Sequence, residues 1–215
     1  DLKLIFLISA ASFVIGFLFT IKLPNPVQEK EITPGTTKTV ILKNKFLFLS
    51  LLLRHIGAAA VWTILPIMIV EKLGGELYHI SIVYVANTMA AFILMNVMAS
   101  KIHLSNITKF KIGIGFTTFV FIGLSVITEW WMAMPFMALV GATWAFLFIG
   151  GNFHLMENNP KSTSTGIFSS TLSIATVIGP IIAGSIAFLF DYVAVMYFAI
   201  AIIIVAFVVS LKIKK

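Results

Sequence analysis

Seven uninterrupted apolar runs, at residues 4–21, 46–70, 78–100, 110–128, 131–151, 167–190 and 192–211, constrain this chain more than any other feature of it. A helix that crosses roughly 30 Å of bilayer hydrocarbon needs about 20 mostly apolar residues, because each residue advances it by about 1.5 Å. The runs are continuous rather than alternating and too long for strands, so an outer-membrane barrel is not expected. The composition agrees: 60% of the 215 residues are hydrophobic and 11% charged, a balance foreign to ordinary water-soluble domains. The expected fold class is therefore all-α integral membrane, with seven transmembrane helices.

The net charge of +7 would suit a nucleic-acid partner, but its distribution does not. Lys22, Lys30, Lys38, Lys43 and Lys45 lie between the first and second runs, and Lys101, Lys109 and Lys111 between the third and fourth. Lys161 lies between the fifth and sixth, and Lys212, Lys214 and Lys215 follow the last. The opposite side carries only Lys3 and Lys72. Basic loops on alternate turns orient a membrane protein, placing the first connection and the C-terminus in the cytoplasm of a cell or inner membrane. Trp130, Trp131, Tyr78 and Tyr192 then fall at the outer interface, where an aromatic ring has one end in lipid and one in water. Cysteine is absent, which excludes disulfide scaffolding and thiol-metal sites.

Residues 22–45 form the one long connection, and Pro24, Pro26, Pro34 and Gly35 mark it as an irregular polar linker. The expected organisation is one helix at 1–21, a cytoplasmic basic linker at 22–45 and a six-helix domain at 46–215. The six divide into two triplets inserted in opposite senses, the nested inverted repeat of transporters. An internal echo supports the division: Gly57-Ala58-Ala59-Ala60-Val61-Trp62 opens the first triplet, and Gly141-Ala142-Thr143-Trp144 opens the second. The chain starts at Asp1, and no signal-peptide pattern follows the first run, so the N-terminus is read as a cut edge.

Two stretches carry a family resemblance. Asn159-Pro160-Lys161-Ser162-Thr163-Ser164-Thr165-Gly166, leading into Ile178-Gly179-Pro180-Ile181-Ile182-Ala183-Gly184, resembles a loop and the eleventh helix of the major facilitator superfamily. Arg54 to Trp62, followed by Leu65 and Pro66, resembles its seventh helix, so the resemblance covers nearly the whole chain as helices six to twelve. It implies two six-helix halves rocking around a central cavity. The second and fifth spans would line that cavity, the third and sixth would sit at the seam between halves, and the fourth and seventh would lie outermost. The loop from Lys101 to Lys111 sits where the family's second half carries a degenerate gating motif rich in Gly, Asp and Arg. Here the acidic residue is missing, and only a basic end remains, in Lys109 and Lys111.

An ionisable group inside a span costs about 2.5 to 3.5 kcal/mol at mid-membrane and is a functional candidate by default. Arg54 is the clear case; its alternatives are contact with a ligand or gate and snorkelling back to the headgroups. The deep parts of the spans hold no Asp or Glu, which favours an anionic substrate. His55, Ala59, Trp62 and Pro66 form a stripe at helical spacing, and Pro66 cannot donate to the carbonyl of Trp62, leaving an acceptor for a substrate or ion. A packing kink is the alternative. Ser169, Ser173, Thr176 and Pro180 form a second stripe, with Gly179 and Ala183 as a small-residue pair suited to close helix approach. Asn87 is the deeper of two asparagines in the third span, Asn96 the shallower, and Trp144 is a candidate stacking surface. Asn152, His154 and Glu157 cluster at a predicted cytoplasmic end.

The candidate cavity residues are thus Arg54, His55, Trp62, Asn87, Trp144, Ser173 and Thr176. Pro66, Gly179, Pro180, Lys109 and Lys111 are candidates for helix breaks or gating. With no metal set, nucleophile pair or phosphate loop, neither an enzyme nor a cofactor is expected. The expected function is a secondary transporter moving a small solute by alternating access, an efflux or organic-anion carrier among the options. Its partners would be the solute, the bilayer and an N-terminal half of the same protein, with no nucleic acid. A seven-helix receptor or a non-transporting scaffold is the alternative; the last span offers no lysine for a retinal Schiff base.

Overall fold

The computed structural model describes residues 2–21, 36–100 and 102–213. Every regular element among them is helical: α1 (Leu2–Ile21), α2 (Thr36–Lys43), α3 (Lys45–Glu71), α4 (Leu77–Ser100), α5 (Asn106–Ser125), α6 (Ala133–Asn158), α7 (Lys161–Leu189) and α8 (Tyr192–Leu211). A 3-10 turn at Trp130–Met132 leads into α6. Among the described residues six helices, α3 to α8, are long and apolar enough to cross a membrane, which makes this a multi-pass membrane protein. The chain forms two compact units, residues 1–33 and 34–215. In the first, two hydroxyls of α1 bond to its own backbone: Ser12 donates to the carbonyl of Ile8 at 2.9 Å and Thr20 to that of Phe17 at 2.6 Å.

The expected irregular linker needs correction in its last part. Residues 36–43 form α2, a short helix whose Val40 is buried and which packs against α7 and α3. Asn44 closes it, donating its backbone N–H and its side-chain amide to the carbonyl of Val40 at 3.1 and 3.0 Å. The rest of the linker, including Lys22, Lys30, Pro24, Pro26, Pro34 and Gly35, lies outside the described residues, as do Lys101, Lys214 and Lys215.

Several helices outrun the apolar spans expected for them, since hydropathy marks the hydrocarbon while hydrogen bonding and caps mark the helix. α5 begins at Asn106, ahead of the expected residue 110, because the Ser105 hydroxyl accepts from the Thr108 N–H at 3.3 Å. α6 runs to Asn158 instead of 151. α7 starts at Lys161 instead of 167, right after Pro160, so residues 161–166, expected as loop, are its first turns. Asp191 caps α8 by accepting from the Ala194 N–H at 2.7 Å. Gly74 ends the α3 segment at φ +65°, the left-handed conformation that glycine adopts without steric cost.

In the second unit the strongest helix pairings run in the order α4–α6–α5–α8–α3–α7, and lesser contacts of α3 with α4 and of α6 with α7 close the bundle. Small residues set two of these seams. A Cβ at Gly179 of α7 would stand 2.6 Å from the Ala59 Cβ and 2.8 Å from the Ile56 carbonyl of α3. One at Gly141 of α6 would run into the Asn87 backbone of α4. Without a hydrophobic drive between helices in lipid, such close backbone approach is what packing contributes. Phe110, Phe121, Phe168, Leu47, Leu51 and Leu65 fill the centre, while α4 and α7 leave long faces uncovered, with Phe92, Val177 and Phe188 exposed.

Up-and-down alternation gathers like charges. Lys38, Lys43, Lys45, Lys109, Lys111, Lys161 and Lys212 lie at one end of the bundle, and Glu71, Glu76, Glu129 and Asp191 at the other, with Lys72. The acidic end is tied by Tyr192, which donates to Glu71 at 2.7 Å, and by the Trp130 N–H on the Leu73 carbonyl at 3.0 Å.

Candidate functional site

Arg54 is the most unusual side chain in the bundle. Leu51, Ala58 and Leu65 surround its register on α3, and at 1% exposure it is the largest fully buried residue. Its guanidinium donates from Nη2 and Nε to the Thr117 hydroxyl of α5 at 3.2 and 3.4 Å, and that hydroxyl donates in turn to the Gly113 carbonyl at 2.6 Å. The guanidinium carbon stands 5.6 Å from the centre of the Trp144 ring of α6, within cation–π range. No carboxylate pairs with Arg54 among the described residues, and with five N–H donors its bonding capacity exceeds the one hydroxyl it engages. The three helices together hold a positive charge inside the bundle, oriented but not neutralised by any described carboxylate.

His55, the next residue, turns toward the less buried side of α3. Its ring lies 5.5 Å from that of Trp144, so Trp144 is shared by the cation and the imidazole. From Trp144 an aromatic ladder continues to Phe148 at 5.4 Å and on to Phe168 of α7, edge-on, at 5.7 Å. The Nδ1 atom of His55 is buried and has no hydrogen-bond partner, and the same is true of the Asn87 amide nitrogen on α4. Buried polar atoms are nearly always paired, and these two nitrogens are exceptions to that rule.

Eight residues along α3, about 12 Å further, Trp62 belongs to a second cluster. Its ring lies 5.8 Å from that of Tyr84 on α4, and the Tyr84 hydroxyl donates to the Trp62 carbonyl at 3.0 Å. This is the carbonyl that Pro66 cannot satisfy, and it had been expected to stay free for a substrate or ion. The structure corrects that expectation: Tyr84 supplies the missing donor, and α3 runs unbroken through Pro66.

The remaining candidates are spread out. Ser173 and Thr176 are exposed on α7, with the Thr176 hydroxyl donating to the Leu172 carbonyl at 2.9 Å, and Pro180 is half-buried beside them. Gly179 lies in the α3–α7 seam. Lys109 and Lys111 sit at the lysine-rich end, well removed along α5 from Thr117; Lys109 is buried, and Lys111 donates to the Ile213 carbonyl at 3.1 Å. At that end Glu157 accepts from the Asn106 amide at 2.5 Å, Asn152 has an unpaired buried oxygen, and His154 is half-buried. Asn96 is exposed.

Of the residues picked from sequence, then, Arg54, His55 and Trp144 meet in space, Trp62 and Pro66 share a second cluster, and Asn87 faces the α4–α6 seam. Thr117 and Tyr84 were missed. A hydroxyl in mid-span and a tyrosine whose polar tip needs a partner were the available signals. An apolar groove of about 420 Å³ between α5 and α6, walled by Phe116, Phe119, Phe136 and Phe146, contains none of these candidates. Among the described residues no group of three His, Cys, Asp or Glu side chains is placed to hold a metal ion. A scan against protein-family models and a search of curated proteins each found no match to the chain.

Proposed function

We propose that this chain is the second half of a secondary transporter of the major facilitator type, moving a small organic anion by alternating access. The observation that carries the reading is the packing order. Exchanging the triplet α3, α4, α5 with α6, α7, α8 turns α4–α6–α5–α8–α3–α7 into itself read backwards. A two-fold relation between triplets of opposite insertion is the architecture of transporters with nested inverted repeats, whose substrate sites lie near mid-membrane at the repeat interface. In this reading α3 and α6 line the pathway with His55, Trp62 and Trp144, joined by Asn87 of α4, and α1 is a further span. The uncovered faces of α4 and α7, which carry Ser173 and Thr176, dock against the other half, and the lysine-rich end is cytoplasmic.

The preference for an anion follows from Arg54. A buried cation without a counter-ion is costly, and an anion arriving at the half-buried His55–Trp144 surface relieves that cost through a medium of low dielectric. The test is flux of a labelled anion panel, with matched cations and sugars, into proteoliposomes holding the full-length protein, wild type against Arg54→Met. Saturable anion flux lost in the variant supports the reading. Saturable flux of cations or sugars only would refute the anion assignment, and no saturable flux of any class would refute transport and leave a scaffold role.

A further inference from the structure

The lysine-rich end contains a feature that transport does not use. Lys45 opens α3, Phe46 follows it, and Lys212 closes α8; α3 and α8 are packed together. The Lys45 ammonium stands 5.2 Å and the Lys212 ammonium 5.9 Å from the centre of the same Phe46 ring. Two helices that meet thus bring two cations to one aromatic ring. A third lies alongside, since Lys111 of α5 donates to the carbonyl of Ile213, the residue after Lys212.

Neither Lys45 nor Lys212 pairs with a carboxylate among the described residues. The described carboxylate at this end, Glu157, is engaged by Asn106. Like charges gathered around one ring repel one another, and among the described residues no carboxylate offsets them. Below them the surface changes character: Leu49, one turn deeper than Phe46, is 43% exposed, and Val208, one turn deeper than Lys212, is 53% exposed. Two cations thus lie at the membrane boundary above an uncovered apolar wall.

We propose that this corner of α3, α5 and α8 binds an anionic phospholipid, with its phosphate between Lys45 and Lys212 over Phe46 and its acyl chains along Leu49 and Val208. Basic pockets between spans at the cytoplasmic boundary suit such headgroups, and each nearby lysine strengthens binding about fivefold. A soluble phosphate would meet the same lysines but gain nothing from the wall. The site stands independently of the transporter reading, because it rests on the lysine-rich end and on no cavity residue.

The test is native mass spectrometry of the full-length protein equilibrated with equal amounts of phosphatidylglycerol and phosphatidylcholine. Wild type is expected to retain phosphatidylglycerol selectively, and Lys45→Gln with Lys212→Gln to bind it about 30-fold more weakly. The paired Lys→Arg variant should keep the binding, and Lys161→Gln, at the same end but on α7, should leave it unchanged. Both lysines are exposed, so the Gln variants are expected to fold, which helicity and gel filtration check. Should they not fold, displacement of phosphatidylglycerol from wild type by phosphatidylcholine decides instead, easy exchange overturning the proposal. Undiminished binding in the double variant overturns it as well. Loss in Lys161→Gln equal to that in Lys45→Gln would show a diffuse surface field in place of a site. Displacement by millimolar inorganic phosphate would show a soluble-anion site.

Discussion

Three glycines of α7 allow the α3–α7 seam to be tested with a built-in control. A Cβ at Gly179 would lie 2.6 Å from the Ala59 Cβ, 2.8 Å from the Ile56 carbonyl and 3.0 Å from the Ala60 nitrogen. Carbon atoms rest at about 3.5 to 4.0 Å, so Gly179→Ala forces α7 and α3 apart by about 1 Å along the contact. Two of the three neighbours are backbone and cannot rotate away. Overpacking of this kind costs about 1 to 3 kcal/mol. Alanine is also the better helix former by about 1 kcal/mol, which partly offsets the clash. Gly166 and Gly184 on the same helix have nothing within 4 Å of the added methyl, so Gly166→Ala and Gly184→Ala gain the propensity without the clash. Their difference from Gly179→Ala isolates the packing term, about 1 to 3 kcal/mol, or roughly 5- to 150-fold in the folding constant. Unfolding of the full-length variants by SDS in mixed micelles, followed by helical circular dichroism, measures it. If Gly179→Ala unfolds at the same SDS fraction as the two controls, the close approach of α7 to α3 is wrong.

Three further expectations follow from the same geometry. Tyr84→Phe should destabilise by about 1 kcal/mol by orphaning the Trp62 carbonyl. Pro66→Ala should remove most of that cost by restoring a backbone N–H, so a double-mutant cycle showing no coupling between the two positions would refute the pairing. Thr117→Val should cost about 1.5 to 3 kcal/mol, because it takes from Arg54 the only hydroxyl it engages, whereas Arg54→Met in the same background should recover it; equal stability of the single and double variants in thermal unfolding would count against a buried Arg54. Because the chain has no cysteine, single Cys residues at Lys161 and Glu129 report sidedness: a membrane-impermeant maleimide should label the Glu129→Cys protein in intact cells and the Lys161→Cys protein only after permeabilisation, and the reverse would invert the proposed orientation.

The spans were legible because twenty apolar residues in a row leave the backbone one way to satisfy its hydrogen bonds in lipid. Helix ends were less so. Residues 161–166 are polar and read as loop, yet they are helical because Pro160 sets the entry and the helix projects beyond the hydrocarbon, where polar residues cost nothing. Residues 106–109 join α5 through the single hydroxyl of Ser105, a local signal that the apolar pattern overshadowed. α2 has eight residues, too few to be stable alone, and its helicity depends on burying Val40 against α3 and α7, which periodicity cannot reveal.

The candidate site shows a different limit. Sequence singled out Arg54, His55 and Trp144 separately, each as a costly or bulky group in a span, but the Arg54–Trp144 approach joins helices 90 positions apart and depends on the order in which helices pack. The two fates expected for Arg54, contact with a ligand or gate and snorkelling to the headgroups, named none of its neighbours within this chain. Those neighbours are the Thr117 hydroxyl and the Trp144 ring, between α3, α5 and α6. Pro66 taught a related lesson, since the freed carbonyl followed from backbone chemistry while its partner Tyr84 sits on another helix. Each of these groups has a requirement that one residue states and a neighbour fulfils. The His55 and Asn87 nitrogens are buried polar atoms whose requirement no described neighbour meets, and the His55 ring shares Trp144 with the Arg54 guanidinium. In the proposed transport reading, a negative charge at the His55–Trp144 surface would be favoured by Arg54 without touching the guanidinium.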